Sequence, residues 1–148
     1  MVPDSAVVCY VDTSALFKRY VEEEGSDGFD TFCELPALDR VICPLGETEF
    51  TSVLQKRRRA GSLTARQVSA VRQRFLVDVA AGGWRMIDFV PEVFSKASDL
   101  IAHLGAPLST LDALHLACAL QSGAPELATA DRQLAIAAGK AKLRVHLF

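Results

Sequence analysis

Short runs rich in Val, Ile, Leu and Phe alternate along this chain with longer segments of helical periodicity, and that alternation predicts its architecture. The strand-like runs are Ala6–Val11, Val41–Pro44, Trp84–Phe89, Leu127–Ala130 and Leu143–Leu147. Apolar residues are nearly continuous in most of them, the pattern of a strand covered on both faces. Helical periodicity marks Thr13–Glu24, Ser26–Cys33, Gly46–Ala60, Thr64–Ala81, Pro91–Leu104, Thr110–Ser122 and Arg132–Ala138. Gly61-Ser62 separates the third and fourth helices, where glycine stops one and Ser62 or Thr64 caps the next. Pro91 falls in a first helical turn, its favoured place. Strands alternating with helices predict an α/β fold: a three-layer α/β/α sandwich with a mainly parallel five-stranded sheet, as one domain over residues 1–148.

Composition narrows the functional classes. A chain of 148 residues is long enough to bury a core without disulfides. A net charge of −2 and a pI near 5.9 give no global basic footprint, so any nucleic-acid contact must be local. Cys9, Cys33, Cys43 and Cys118 form no C-x-x-C pair and read as small buried hydrophobes of a reducing cytosol. Met1–Ser5 carries no positive leader, and no apolar segment approaches the ~20 residues that span a bilayer. The expectation is a cytoplasmic protein with no membrane partner.

Four acids stand where such a sheet presents chemistry. Asp12 follows the first strand and Asp131 the fourth, and in a parallel sheet the carboxyl ends of strands share one edge. Glu49 lies early in the helix after the second strand, and Asp112 in the first turn of the helix before the fourth. Each also has a local role: Asp12 and Asp131 as helix caps, Asp112 in a Ser-x-x-Asp box with Ser109, and Glu49 at a helix dipole. Crowded carboxylates raise one another's pKa unless a cation neutralises them. Oxygen donors suit Mg²⁺ or Mn²⁺, ions that activate water and stabilise charge on phosphoryl oxygens.

Four segments carry a family resemblance: Tyr10-Val11-Asp12-Thr13-Ser14-Ala15-Leu16, Glu49-Phe50-Thr51-Ser52-Val53-Leu54, Leu111-Asp112-Ala113-Leu114-His115-Leu116-Ala117 and Thr129-Ala130-Asp131-Arg132-Gln133-Leu134. In this order they resemble the motifs of PIN-domain ribonucleases, and the size is similar to that of VapC toxins of bacterial toxin–antitoxin pairs. The resemblance implies a PIN fold and an endoribonuclease. It implies that Asp12, Glu49, Asp112 and Asp131 hold Mg²⁺ or Mn²⁺, with activated water cleaving RNA to a 5′-phosphate and a 3′-hydroxyl. Thr13, Ser14 and Thr129 are candidates to orient those carboxylates, with helix capping as their alternative role. A VapB-like antitoxin and a homodimer are the implied partners. Glu47 competes with Glu49, but two residues on a helix point about 200° apart, so one of them at most faces the site. The Phe-Thr-Ser-Val-Leu that follows favours Glu49.

Lys56-Arg57-Arg58-Arg59 ends the Glu49 helix, either as a solvated cap on the helix dipole or as phosphate contacts. Lys18, Arg19 and Arg132 are the candidate RNA-binding cations nearer the acids. His115 shares a helix face with Asp112 and reads as a packed or hydrogen-bonded histidine near the acids, since the second acid-x-x-His pair of di-iron bundles is missing. No G-x-G-x-x-G, P-loop or G-x-S-x-G occurs. An aspartyl-phosphate domain fits poorly, because Ser14 stands where a haloacid-dehalogenase-like pattern has its second Asp. The remaining alternatives are a noncatalytic PIN-like module that binds RNA or protein, and an RNA-processing PIN nuclease that is not a toxin.

Overall fold

The computed structural model describes residues 5–148. Residues 1–4, most of the segment read as lacking a leader, lie outside the described residues. Five strands, β1 (Val7–Val11), β2 (Leu38–Ile42), β3 (Arg85–Met86), β4 (Glu126–Thr129) and β5 (Arg144–Leu147), form one sheet. Their order is β3-β2-β1-β4-β5, and every neighbouring pair is parallel. Seven helices connect them: α1 (Thr13–Lys18), α2 (Ser26–Cys33), α3 (Pro44–Arg59), α4 (Ala65–Ala80), α5 (Glu92–His103), α6 (Thr110–Ser122) and α7 (Arg132–Lys140). The predicted three-layer α/β/α sandwich around a five-stranded parallel sheet is the observed one.

Successive side chains of the central strands point to opposite faces. Tyr10, Val41 and Leu127 join the α5, α6 and α7 core, whereas Cys9, Val11, Ile42 and Ala128 join the core with α1 to α4. That double burial explains the continuous apolar runs. The four cysteines are free and buried.

Several boundaries differ from the pattern-based expectation, each for a local reason. The strand expected from Val41 starts at Leu38, because Asp39 is paired by two guanidinium nitrogens of Arg85 and Arg40 lies over the Trp84 ring. These partners let two charged residues sit in a strand. The run Trp84–Phe89 supplies only Arg85–Met86 as strand, at the sheet edge. The first helix stops at Lys18 instead of Glu24, and Lys18 turns back to the Glu24 carbonyl and the Glu23 carboxylate. Gly25, at φ +86, then starts α2. Thr64, with Gln67 in a capping box, starts α4, so Ser62 is not the cap. Pro91 stands at the N-cap of α5, one place before the first turn.

Candidate active site at the carboxyl edge of the sheet

Asp12 directly follows β1, and its side chain caps α1 by accepting from the Ala15 amide at 3.1 Å. The same carboxylate accepts from Ser14 Oγ at 2.8 and 2.9 Å and from Thr129 Oγ1 at 3.0 Å. Thr129 ends β4, next to β1, so sheet pairing itself brings it beneath Asp12. Its hydroxyl also accepts from the Asp131 amide at 2.9 Å. Ser14 Oγ in turn accepts from the Ala130 amide at 2.9 Å. Two hydroxyls thereby fix the first acid and bind the β1 and β4 ends together.

Asp12, Glu49, Asp112 and Asp131 all line one cavity of about 320 Å³, with Thr13, Ser14, Phe17, Glu23, Val53, Arg57, His115 and Ala130. The capping roles coexist with this placement. Asp131 accepts from the Gln133 and Leu134 amides, and the Asp112 amide donates to Ser109 Oγ. Glu49, and not Glu47, faces the cavity: Thr13 Oγ1 donates to it at 3.0 Å and His115 Nε2 bonds it.

His115 is nearly fully buried and bonded at both ring nitrogens. Its Nδ1 lies 2.7 Å from the Tyr10 hydroxyl, which itself donates to Cys43 Sγ at 3.1 Å. With that hydroxyl proton directed to sulfur, Nδ1–H donates to the hydroxyl oxygen and Nε2–H to Glu49, the pattern of an imidazolium. Burial opposes the charge, but the neighbouring Cys43 sulfur, the bond with Glu49 and the nearby Asp12 overcome it, so His115 is pushed up to about 10. Burial likewise opposes ionisation of Glu49, and the His115 and Thr13 bonds more than offset it, holding the carboxyl below its usual range.

Two other acids move the opposite way. Burial raises Asp12 despite the charge of His115 and its three donors. Burial also raises Asp112, helped by the negative charges of Asp131 and Glu49. Oxygen donors of this kind suit a hard divalent cation, and a cation removes both the repulsion and the cost of burying charge. By donor chemistry, though not by the present arrangement of the side chains, the set suits a hard divalent cation such as Mg²⁺ or Mn²⁺. As the side chains stand, no three His, Cys, Asp or Glu groups among the described residues meet closely enough to hold an ion. Glu49 is turned to His115, and Asp131 to the amides of α7.

The cations divide differently from expectation. Lys18 is buried, paired with Glu23 at 3.2 Å, and does not line the cavity, so it is closed to an outside phosphate. Arg19 pairs with Asp30 of α2 at 2.8 Å, also outside the cavity wall. Arg132 is exposed at the start of α7 and lines a separate depression with Ile136 and Leu147. Arg57 is the guanidinium that does line the cavity. Its position was legible, since Glu49, Val53 and Arg57 follow an i, i+4, i+8 stripe on α3. Glu23 was expected within the first helix, but α1 stops at Lys18 and leaves it in the loop before α2, from which it reaches the cavity.

The model of the PIN domain family matches residues 9–140. The chain belongs to the PIN domain family. Among solved structures, PAE2754 from Pyrobaculum aerophilum is similar with a TM-score of 0.67 at 20% identity, over 98% of this chain and 89% of that one. VapC20 of Mycobacterium tuberculosis, described as a sarcin–ricin loop cleaving toxin, is similar with a TM-score of 0.66 at 18% identity, over 92% of this chain and 98% of that one. VapBC2 from Rickettsia felis, bound to a promoter DNA fragment, gives 0.64 at 13% identity, over 95% and 98%. At these identities the likeness is one of fold. Among curated proteins, no sequence matches the chain. No helix among the described residues is long and apolar enough to cross a membrane.

Proposed function

We propose that this chain is a Mg²⁺- or Mn²⁺-dependent endoribonuclease, the toxin of a VapBC-type pair, acting in the cytoplasm as a homodimer and restrained by a VapB-like antitoxin. The observation that carries the reading is the meeting of Asp12, Glu49, Asp112 and Asp131 at one cavity, although they come from four separate segments of a PIN domain. The VapC fold relatives support the toxin assignment, and the toxin–antitoxin complex among them supports the antitoxin.

In this reading the four carboxylates hold the cation. Ser14 and Thr129 keep Asp12 aimed, while Thr13 and His115 position Glu49. A bound divalent cation supplies acidified water and charge neutralisation at phosphate. Water adds across the scissile bond: its oxygen bonds to phosphorus, the bond from phosphorus to the 3′ oxygen breaks, and the proton given up by the water ends on that oxygen, which leaves as a hydroxyl.

A mixed RNA pool incubated with antitoxin-free protein tests this reading. Cleavage with Mg²⁺, its loss in EDTA and its loss in Asp12→Asn are the expected results. A wild-type protein inert with both Mg²⁺ and Mn²⁺ contradicts the nuclease and favours a noncatalytic binding module. Growth arrest on induction, relieved by a small reading frame upstream, separates a toxin from an RNA-processing nuclease.

A further inference from the structure

A cavity walled by carboxylates repels a polyanion everywhere except where a cation stands. Besides His115, which is buried and committed to Glu49 and Tyr10, the positive side chain lining this cavity is Arg57. Its Nη2 bonds Glu23 Oε2 at 2.8 Å, and its guanidinium lies 5.3 Å from the centre of the Phe17 ring. Glu23 is shared, because its other oxygen is 3.2 Å from Lys18.

This is an arginine held in place with most of its capacity unspent. Only one of its five N–H donors has a partner among the described residues. The side chain is 40% exposed and its Glu23 partner 25% exposed, so water screens the pair and a competing anion can replace it. The planar fork matches two phosphate oxygens, and the Phe17 ring beneath it limits its swing. Glu49 and Arg57 stand two turns apart on the same face of one rigid helix, so an RNA strand crossing the acids passes the guanidinium.

We infer that Arg57 binds a backbone phosphate of the RNA substrate, flanking the bond to be cleaved, and that Glu23 occupies the guanidinium until RNA displaces it. The inference rests on the nuclease reading above. It replaces Lys18 and Arg19 as the phosphate contacts and assigns a function to one residue of the basic run that ends α3.

The test measures binding of a labelled, mixed-sequence single-stranded RNA by fluorescence anisotropy in EDTA over a series of salt concentrations. Cleavage of the same RNA in Mg²⁺ is followed in parallel. Loss of one phosphate contact lowers the slope of log K against log salt by about 0.7 for a single strand. Arg57→Gln is expected to show that change with roughly tenfold weaker binding. Arg57→Lys is expected to keep the slope and lose part of the affinity, because it keeps the charge but not the fork. Glu23→Gln, with the resident anion neutralised, is expected to bind RNA more tightly. A merely structural role for Arg57 leaves the slope unchanged. If wild type cleaves RNA while Arg57→Gln matches it in affinity and slope, the assignment of Arg57 is overturned and the nuclease stands. If wild type neither binds nor cleaves RNA, both fall.

Discussion

Thr129 Oγ1 lies 3.0 Å from Asp12 Oδ2, joining residues 117 positions apart at the ends of two adjacent parallel strands. The hydroxyl donates to the carboxylate and accepts the Asp131 amide, so one side chain couples the first acid of the site to the backbone of the last. Thr129 is fully buried. Thr129→Val preserves the shape and removes both bonds. The expected cost is about 1–3 kcal/mol in urea denaturation, from the unpaired Asp131 amide and the weakened hold on Asp12. Unchanged stability would show that these bonds are not maintained in solution.

Asp12 is a buried carboxylate whose pKa is raised chiefly by burial. Its folded pKa exceeds the unfolded value near 3.9, so the folded state binds the proton more tightly and ionisation of Asp12 costs stability as pH rises through that window. Asp12→Asn removes this cost. In EDTA the variant is expected to unfold at a higher temperature than wild type at pH 7, with a smaller advantage at pH 4. Mg²⁺ should raise the melting temperature of wild type and not that of the variant. Calorimetry at the two pH values, with and without the ion, checks all three points, and a variant less stable than wild type at pH 7 contradicts the account.

The ion pair between His115 and Glu49 is the site's internal charge balance. His115→Gln keeps one donor near Glu49 but removes the positive charge that lowers the Glu49 carboxyl and offsets Asp12. Loss of about 1–3 kcal/mol of stability is expected, together with slower RNA cleavage at saturating Mg²⁺. Full activity in this variant would reduce His115 to a packing residue.

Tyr20 clamps α4 to the core away from the site. Its hydroxyl donates to Asp78 Oδ2 at 2.6 Å and accepts from the Trp84 indole at 2.6 Å, and its ring meets Phe50 and Phe75 edge-on. Tyr20→Phe keeps the ring contacts and leaves the buried indole N–H without its acceptor. Chemical denaturation should show a loss of about 1–3 kcal/mol with cleavage at 25 °C unaffected. An unchanged midpoint would show that the indole finds another partner.

Most of the fold was legible because its signals are local. Apolar continuity marked the strands of a doubly covered sheet, and Thr64, Ser109 and Asp131 announced their helices by cap chemistry. The boundaries that shifted were those set by distant partners. Asp39 enters β2 only because Arg85 meets it from the neighbouring edge strand, and α1 ends early because Lys18 is drawn back by Glu23 and Glu24. A one-dimensional pattern contains neither contact.

The four acids stood out in the sequence for the same reason that the strands did. Strand ends and helix starts can be read locally, and a parallel sheet puts all its carboxyl ends on one edge whatever the loop lengths. Which cations reach that edge depends instead on the angle of each side chain around its helix and on the partners it meets. Lys18 lies close to Asp12 in sequence yet is buried against Glu23, whereas Arg57 lies 45 positions away and lines the same cavity. Local patterning was enough to specify the sheet, its helices and the acids at its edge. The pairing of His115 with Glu49 and the place of Arg57 in the cavity wall were settled by packing, because long side chains choose among competing partners only after the chain has closed around them.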